Sequence, residues 1–84
     1  MRIDLIFMTD CPKCDLARAT IKTVIAESDT PIAFEEYNGD TDEKAIDLAI
    51  EHSIDDLPAI IINDGSHVFQ GKAFSKRLIK KALL

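Results

Sequence analysis

A short apolar run, Arg2 to Met8, gives way within a few residues to a helical apolar period beginning at Pro12, and that junction constrains the fold more than any other feature. Ile3, Leu5, Ile6 and Phe7 stand too densely for a half-solvated strand, so the pattern predicts a strand buried on both faces. From Pro12 to about Ser28, the residues Leu16, Ala17, Ile21, Val24 and Ile25 recur three and four apart, the period of one helix face. Proline suits the start of that helix because a first-turn N–H has no intrahelical partner to lose. A buried strand feeding directly into a helix implies a layered α/β domain.

The alternation continues downstream. Asp29-Thr30-Pro31 interrupts the helix, and Ile32 to Tyr37 alternates as a second strand. Asn38-Gly39 reads as a turn. Asp40, with Glu43 three residues later, resembles a capping box in its aspartate form, opening a helix that places Ile46, Ala49 and Ile50 inward. Pro58 to Asn63 is a dense β-branched run, Asn63-Asp64-Gly65-Ser66 a tight turn, and His67 to Gln70 the returning strand. After Gly71, the residues Phe74, Leu78, Ile79, Ala82 and Leu83 define a last helix. The order is βαβαββα. Strand–helix–strand crossovers favour parallel, right-handed pairing, whereas the tight turn forces an antiparallel hairpin. The expected architecture is a mixed four-stranded sheet flanked by three helices.

At 84 residues the chain has room for one small core, and no linker or repeat divides it, so residues 1–84 are expected to form a single domain. A formal net charge of −5 argues against nucleic acid as a partner. Lys72, Lys76, Arg77, Lys80 and Lys81 do cluster, but at helical spacings that read as a solvated face. No apolar run approaches the roughly 20 residues that span a bilayer, so no membrane partner is expected. Met1 to Met8 lacks the basic start and small-residue cleavage site of a secretion signal. A cytoplasmic location is therefore expected, and there a cysteine pair is reduced, catalytic or metal-bound.

Cys11 and Cys14 are the only cysteines, and they lie at the strand–helix junction. A disulfide closing so short a loop restrains the unfolded chain little, which points away from scaffolding. A cysteine at a helix N-terminus faces unpaired N–H groups and the positive end of the dipole, both of which favour the nucleophilic thiolate. Cys14, nearly one turn on, stands close enough to attack a mixed disulfide formed at Cys11. Cys11 is read as the attacking thiol and Cys14 as the resolving one. Metal remains an alternative, although a mononuclear zinc site needs four ligands and His52 and His67 lack ligand-like spacing. Tyr37, Phe69 and Phe74 read as packing residues.

Thr9-Asp10-Cys11-Pro12-Lys13-Cys14 resembles the glutaredoxin active-site stretch, with lysine where tyrosine is common. Leu57-Pro58-Ala59-Ile60-Ile61-Ile62-Asn63-Asp64-Gly65 resembles the segment in which thioredoxin-like proteins set a cis-proline opposite the redox cysteines, and Gly71 matches the glycine after their hairpin. The chain is thus similar to the thioredoxin-like superfamily, in particular its small glutaredoxin-like members. The resemblance implies a thioredoxin-like fold, a cis bond between Leu57 and Pro58, and a Leu57 backbone exposed beside Cys11. It also implies a thiol–disulfide oxidoreductase with Asp10, Pro12, Lys13, Leu57 and Pro58 supporting the cysteine pair.

Some positions depart from the family. Asp10 stands where thioredoxins carry tryptophan, and Leu5 near where they bury an aspartate. Met8 stands where glutaredoxins hold the glutathione carboxylate with lysine. With Asp10, Asp15, Asp55 and Asp56 around the pair and Lys13 the one nearby cation, the rim disfavours anionic glutathione and favours a cationic or neutral protein surface. The expected partners are disulfide-containing proteins and a disulfide reductase or dithiol donor, acting on a monomer whose only redox group is the Cys11–Cys14 pair. A metal- or iron–sulfur-binding module and a non-catalytic interaction domain remain alternatives.

Overall fold

A computed structural model describes residues 1–84. In chain order the elements are β1 (Arg2–Phe7), α1 (Pro12–Ala26), β2 (Ala33–Asn38), α2 (Glu43–Glu51), β3 (Ala59–Ile62), a single 3₁₀ turn (Asn63–Gly65), β4 (His67–Gln70) and α3 (Lys76–Ala82). The sheet runs β2-β1-β3-β4. β1 and β2 pair in parallel across the α1 crossover, while β1–β3 and β3–β4 are antiparallel. The expected βαβαββα order and the mixed four-stranded sheet are both present. No helix is long and apolar enough to cross a membrane.

The pleat divides the core in two. Ile3 and Leu5 of β1 stand opposite Ile62 and Ile60 of β3, and these four pack with Ala17, Ile21, Val24 and Ile79 from α1 and α3. Ile6, Ala59 and Ile61 point to the other face and meet Ala45 of α2, with Leu48, Ala49, Ile54 and Leu57 around them. β1 is buried on both faces because helices cover both sides of the sheet. Asp4, between those layers, is only 4% exposed; Arg2 pairs with its carboxylate at 2.8 Å and the Tyr37 hydroxyl lies 3.4 Å away. That pairing satisfies a charge the sheet would otherwise leave unpaired.

Four expectations from the sequence need correcting. Asp40 does not cap α2: Asp42 does, its carboxylate accepting from the Lys44 N–H at 2.9 Å, while Asp40 accepts from the Thr9 N–H instead. Ile46 and Ile50 do not face inward, being 54% and 74% exposed. α2 turns Ala45, Leu48 and Ala49 to the sheet, one position N-terminal to the expected stripe, because small alanines let the helix seat closely. Leu16 on α1 and Leu78 on α3 likewise point outward, and α1 buries Cys14, Ala17, Ile21 and Val24.

Phe74 precedes α3 rather than belonging to it. Ser75 is the cap and accepts from the Leu78 N–H at 3.1 Å, while Phe74 and Ile79 join the same core cluster across it, a hydrophobic staple that sets the entry of the helix.

Candidate functional site

β1 ends at Phe7, and the turn Met8–Asp10 delivers Cys11 to the N-cap of α1. Asp10 turns the chain with φ +51°, a left-handed conformation that aspartate tolerates better than most residues. The loop after β2 secures that turn. The Asp40 carboxylate accepts from the Thr9 N–H at 2.9 Å, and the Asn38 side-chain amide donates to the Thr9 hydroxyl at 3.3 Å. Gly39 allows the approach: its N–H donates to the Phe7 carbonyl at 2.7 Å, and a Cβ there would press against Leu57 at 3.2 Å.

Cys11 is the N-cap of α1 and Pro12 occupies the first turn. The Cys11 carbonyl accepts the first helical bond, from the Asp15 N–H at 3.1 Å, and its sulfur accepts from the Cys14 N–H at 3.2 Å. That second contact points a backbone donor and the positive end of a 15-residue helix at the Cys11 sulfur. Cys11 and Cys14 form a disulfide with Cα atoms 5.2 Å apart, inside the range a disulfide adopts. The two sulfurs differ in access. Cys11 keeps 8% of its surface exposed, while Cys14 keeps none and lies under the Met8 N–H at 3.5 Å. An incoming reagent therefore meets Cys11.

Pro58 immediately precedes β3, the strand lying antiparallel to β1. Ala59 stands opposite Ile6, which sets Leu57 and Pro58 at the same end of the sheet as the Met8–Cys11 turn. The Leu57–Pro58 peptide bond is cis. The Pro58 carbonyl accepts from the Gly71 N–H at 2.8 Å, and the Gln70 side-chain oxygen accepts from the N–H groups of Asp55 and Asp56 at 2.9 and 3.2 Å. Asp56 in turn accepts from the Leu57 N–H at 2.9 Å. Gly71 has φ +63°, and a Cβ there would run into the Asp56 carboxylate.

The structure thus gathers Asp10, Cys11, Pro12, Lys13 and Cys14 at one junction, with Leu57 and Pro58 at the same sheet end. Pro12, Lys13 and Asp10 are solvent-exposed, and Lys13 takes part in none of the chain's ion pairs. Leu5 is fully buried among apolar neighbours, and the adjacent Asp4 faces the opposite side of the sheet. Arg18 bridges outward from α1 to Glu36 of β2 and to Asp15, with its guanidinium 4.7 Å from the Phe7 ring. Its hydrogen bond to Glu36 pushes its pKa further up. No three His, Cys, Asp or Glu side chains converge in a geometry that would hold a metal ion.

Asn38, Asp40 and Gln70 position the site without having been singled out for that role from sequence. Their partners lie 14 to 31 residues away, and such contacts leave no periodic trace.

A family model described as a thioredoxin domain matches residues 1–84. The crystal structure of the thioredoxin-like protein BC3987 superposes with a TM-score of 0.72 at 22% identity, covering 96% of this chain and 99% of that one. The solution structure of a thioredoxin-like protein from Clostridium perfringens superposes with a TM-score of 0.80 at 22% identity, covering 98% of this chain and 67% of that one. A malarial protein of solved structure gives a TM-score of 0.64 at 21% identity, covering 99% of this chain and 97% of that one. At these identities the likeness is one of fold. No curated protein matches the chain.

Proposed function

Because the chain belongs to the thioredoxin-domain family and carries a CxxC disulfide, we propose that it is a thiol–disulfide oxidoreductase that cycles Cys11 and Cys14 against disulfides in partner proteins. One observation carries this reading: Cys11, the more accessible cysteine of the pair, sits at a helix N-cap with a backbone N–H aimed at its sulfur, while Cys14 is fully buried.

In the reduced protein, the Cys14 N–H and the α1 dipole favour thiolate at Cys11. That thiolate attacks one sulfur of a partner disulfide. A Cys11–partner disulfide forms, the partner S–S bond breaks, and the leaving thiolate takes up a proton. Cys14, once deprotonated, then attacks the Cys11 sulfur. This closes the Cys11–Cys14 bond and releases the second partner thiol. Two electrons and two protons pass to the partner, and a dithiol donor or disulfide reductase returns them in the reverse exchange. Asp10, Pro12 and Lys13 shape the approach to Cys11, and Leu57 and Pro58 border it from the loop before β3.

The test separates the two thiols. Cys14→Ser in the reduced protein should accumulate mixed disulfides with protein substrates, visible as reductant-sensitive adducts by mass. Cys11→Ser should form none and should lose turnover. Equal trapping by both variants would contradict the assigned roles.

A further inference from the structure

On the α2 face, toward the sheet end that carries the disulfide, lies a groove of about 230 Å³ lined by neither cysteine. Ile6, Ala45, Ala49, Ile54 and Leu57 supply apolar walls, and the exposed Ile46 forms a lip. An engineered apolar cavity of about 150 Å³ holds benzene, so the volume suits one leucine- or phenylalanine-sized side chain. Leu57 lines the groove and directly precedes Pro58. Gly39, in the same wall, touches the strand end that leads to Cys11. The groove and Cys11 therefore lie at the same end of the sheet.

The only charged side chains lining the groove are Asp55 and Asp56. Neither takes part in an ion pair, nor do Asp40, Asp42 or Asp47 on the neighbouring loop and helix. Both aspartates are exposed, and Gln70 fixes their backbone by accepting from both N–H groups. An apolar slot with a rigid, uncompensated anionic rim selects by charge as well as by shape, and it needs little ordering on binding. We propose that this groove docks the protein partner, taking one apolar side chain flanked by lysine or arginine next to the partner's disulfide. The proposal rests on Cys11–Cys14 being the exchanging pair and names the partner class that pair serves.

The test measures second-order rates of the reduced protein with disulfide-linked peptide dimers. In one the cysteine is flanked by leucine and two lysines, in the second by leucine and two glutamates, and in the third by glycine and two lysines. Each rate is divided by the same protein's rate with hydroxyethyl disulfide, a small neutral probe of intrinsic thiol reactivity. At low ionic strength the leucine–lysine peptide should react about tenfold faster than the leucine–glutamate one, and 0.5 M salt should flatten the difference. D55N/D56N should remove most of that charge preference. Ile46→Ser should erode the leucine-over-glycine preference several-fold. A cysteine-free leucine–lysine peptide, with serine in place of cysteine, should shift the amide resonances of Ala49, Ile54 and Leu57. Equal relative rates for all three peptides, with no shift at those amides, would overturn the docking site. Failure to reduce hydroxyethyl disulfide would instead overturn the oxidoreductase reading, and the amide shifts would still decide the groove.

Discussion

Gly71→Ala probes fold and site together. Gly71 holds φ +63°, where a Cβ costs about 1–2 kcal/mol. That Cβ would also drive the Asp56 carboxylate off its present position and break its bond from the Leu57 N–H, worth roughly 0.5–1.5 kcal/mol. The sum is about 1.5–3.5 kcal/mol, and in a domain of this size each kcal/mol moves Tm by about 4–8 °C, so a fall of about 6–28 °C is expected. Thermal unfolding by circular dichroism, with the disulfide kept intact, reads it directly. The two contributions separate in a double-mutant cycle. With Asp56→Ala already in place the carboxylate no longer obstructs, and Gly71→Ala should cost only the backbone share of about 1–2 kcal/mol. A Gly71→Ala protein melting within about 3 °C of the parent would refute the placement of that turn. Equal losses in both backgrounds would refute the contact with Asp56.

Two further outcomes follow from contacts elsewhere. Asp42→Ala should cost about 1 kcal/mol through the lost α2 cap, whereas Asp40→Ala should leave α2 intact and loosen the Thr9 turn; amide exchange resolves the two, and the reverse pattern would restore Asp40 as the cap. Hydrogen bonds from Lys80 and Lys76 hold the Glu27 pKa below its ordinary value of 4.5, so its stabilising share is full above that pH and fades as the pH falls through the lower folded value. Glu27→Gln should therefore unfold more readily than the parent at pH 6, with the gap closing toward pH 3 in urea titrations; a gap that persists in acid would assign it to packing.

The layers of this fold were legible because each rests on local pattern. Ile3 to Phe7 and Ala59 to Ile62 are dense enough that only a strand covered on both faces buries them, and Ala17, Ile21 and Val24 repeat at the helical period. Cys11 and Cys14 were legible as a pair because Pro12 fixes the helix start between them. α2 was misread by one position. Hydrophobicity favours Ile46 and Ile50 for the interior, yet the close approach of the helix to Ile6 and Ala59 selects Ala45 and Ala49, and that selection is made by the sheet rather than by α2 itself. Asp40 and Asp42 both satisfy a cap pattern, and the competition was decided by Thr9, 31 residues from Asp40 in sequence. Gln70 gives no local sign of its role because it acts on a loop 14 and 15 residues away.

The most direct test of the central claim equilibrates the protein in graded dithiol buffers and counts free thiols by alkylation and mass. A single cooperative two-electron transition is expected, with the oxidised form lighter by two hydrogens, both losses mapping to Cys11 and Cys14, and the midpoint placing the protein among reductants or oxidants. A protein whose two cysteines stay alkylatable at every poise would contradict the account.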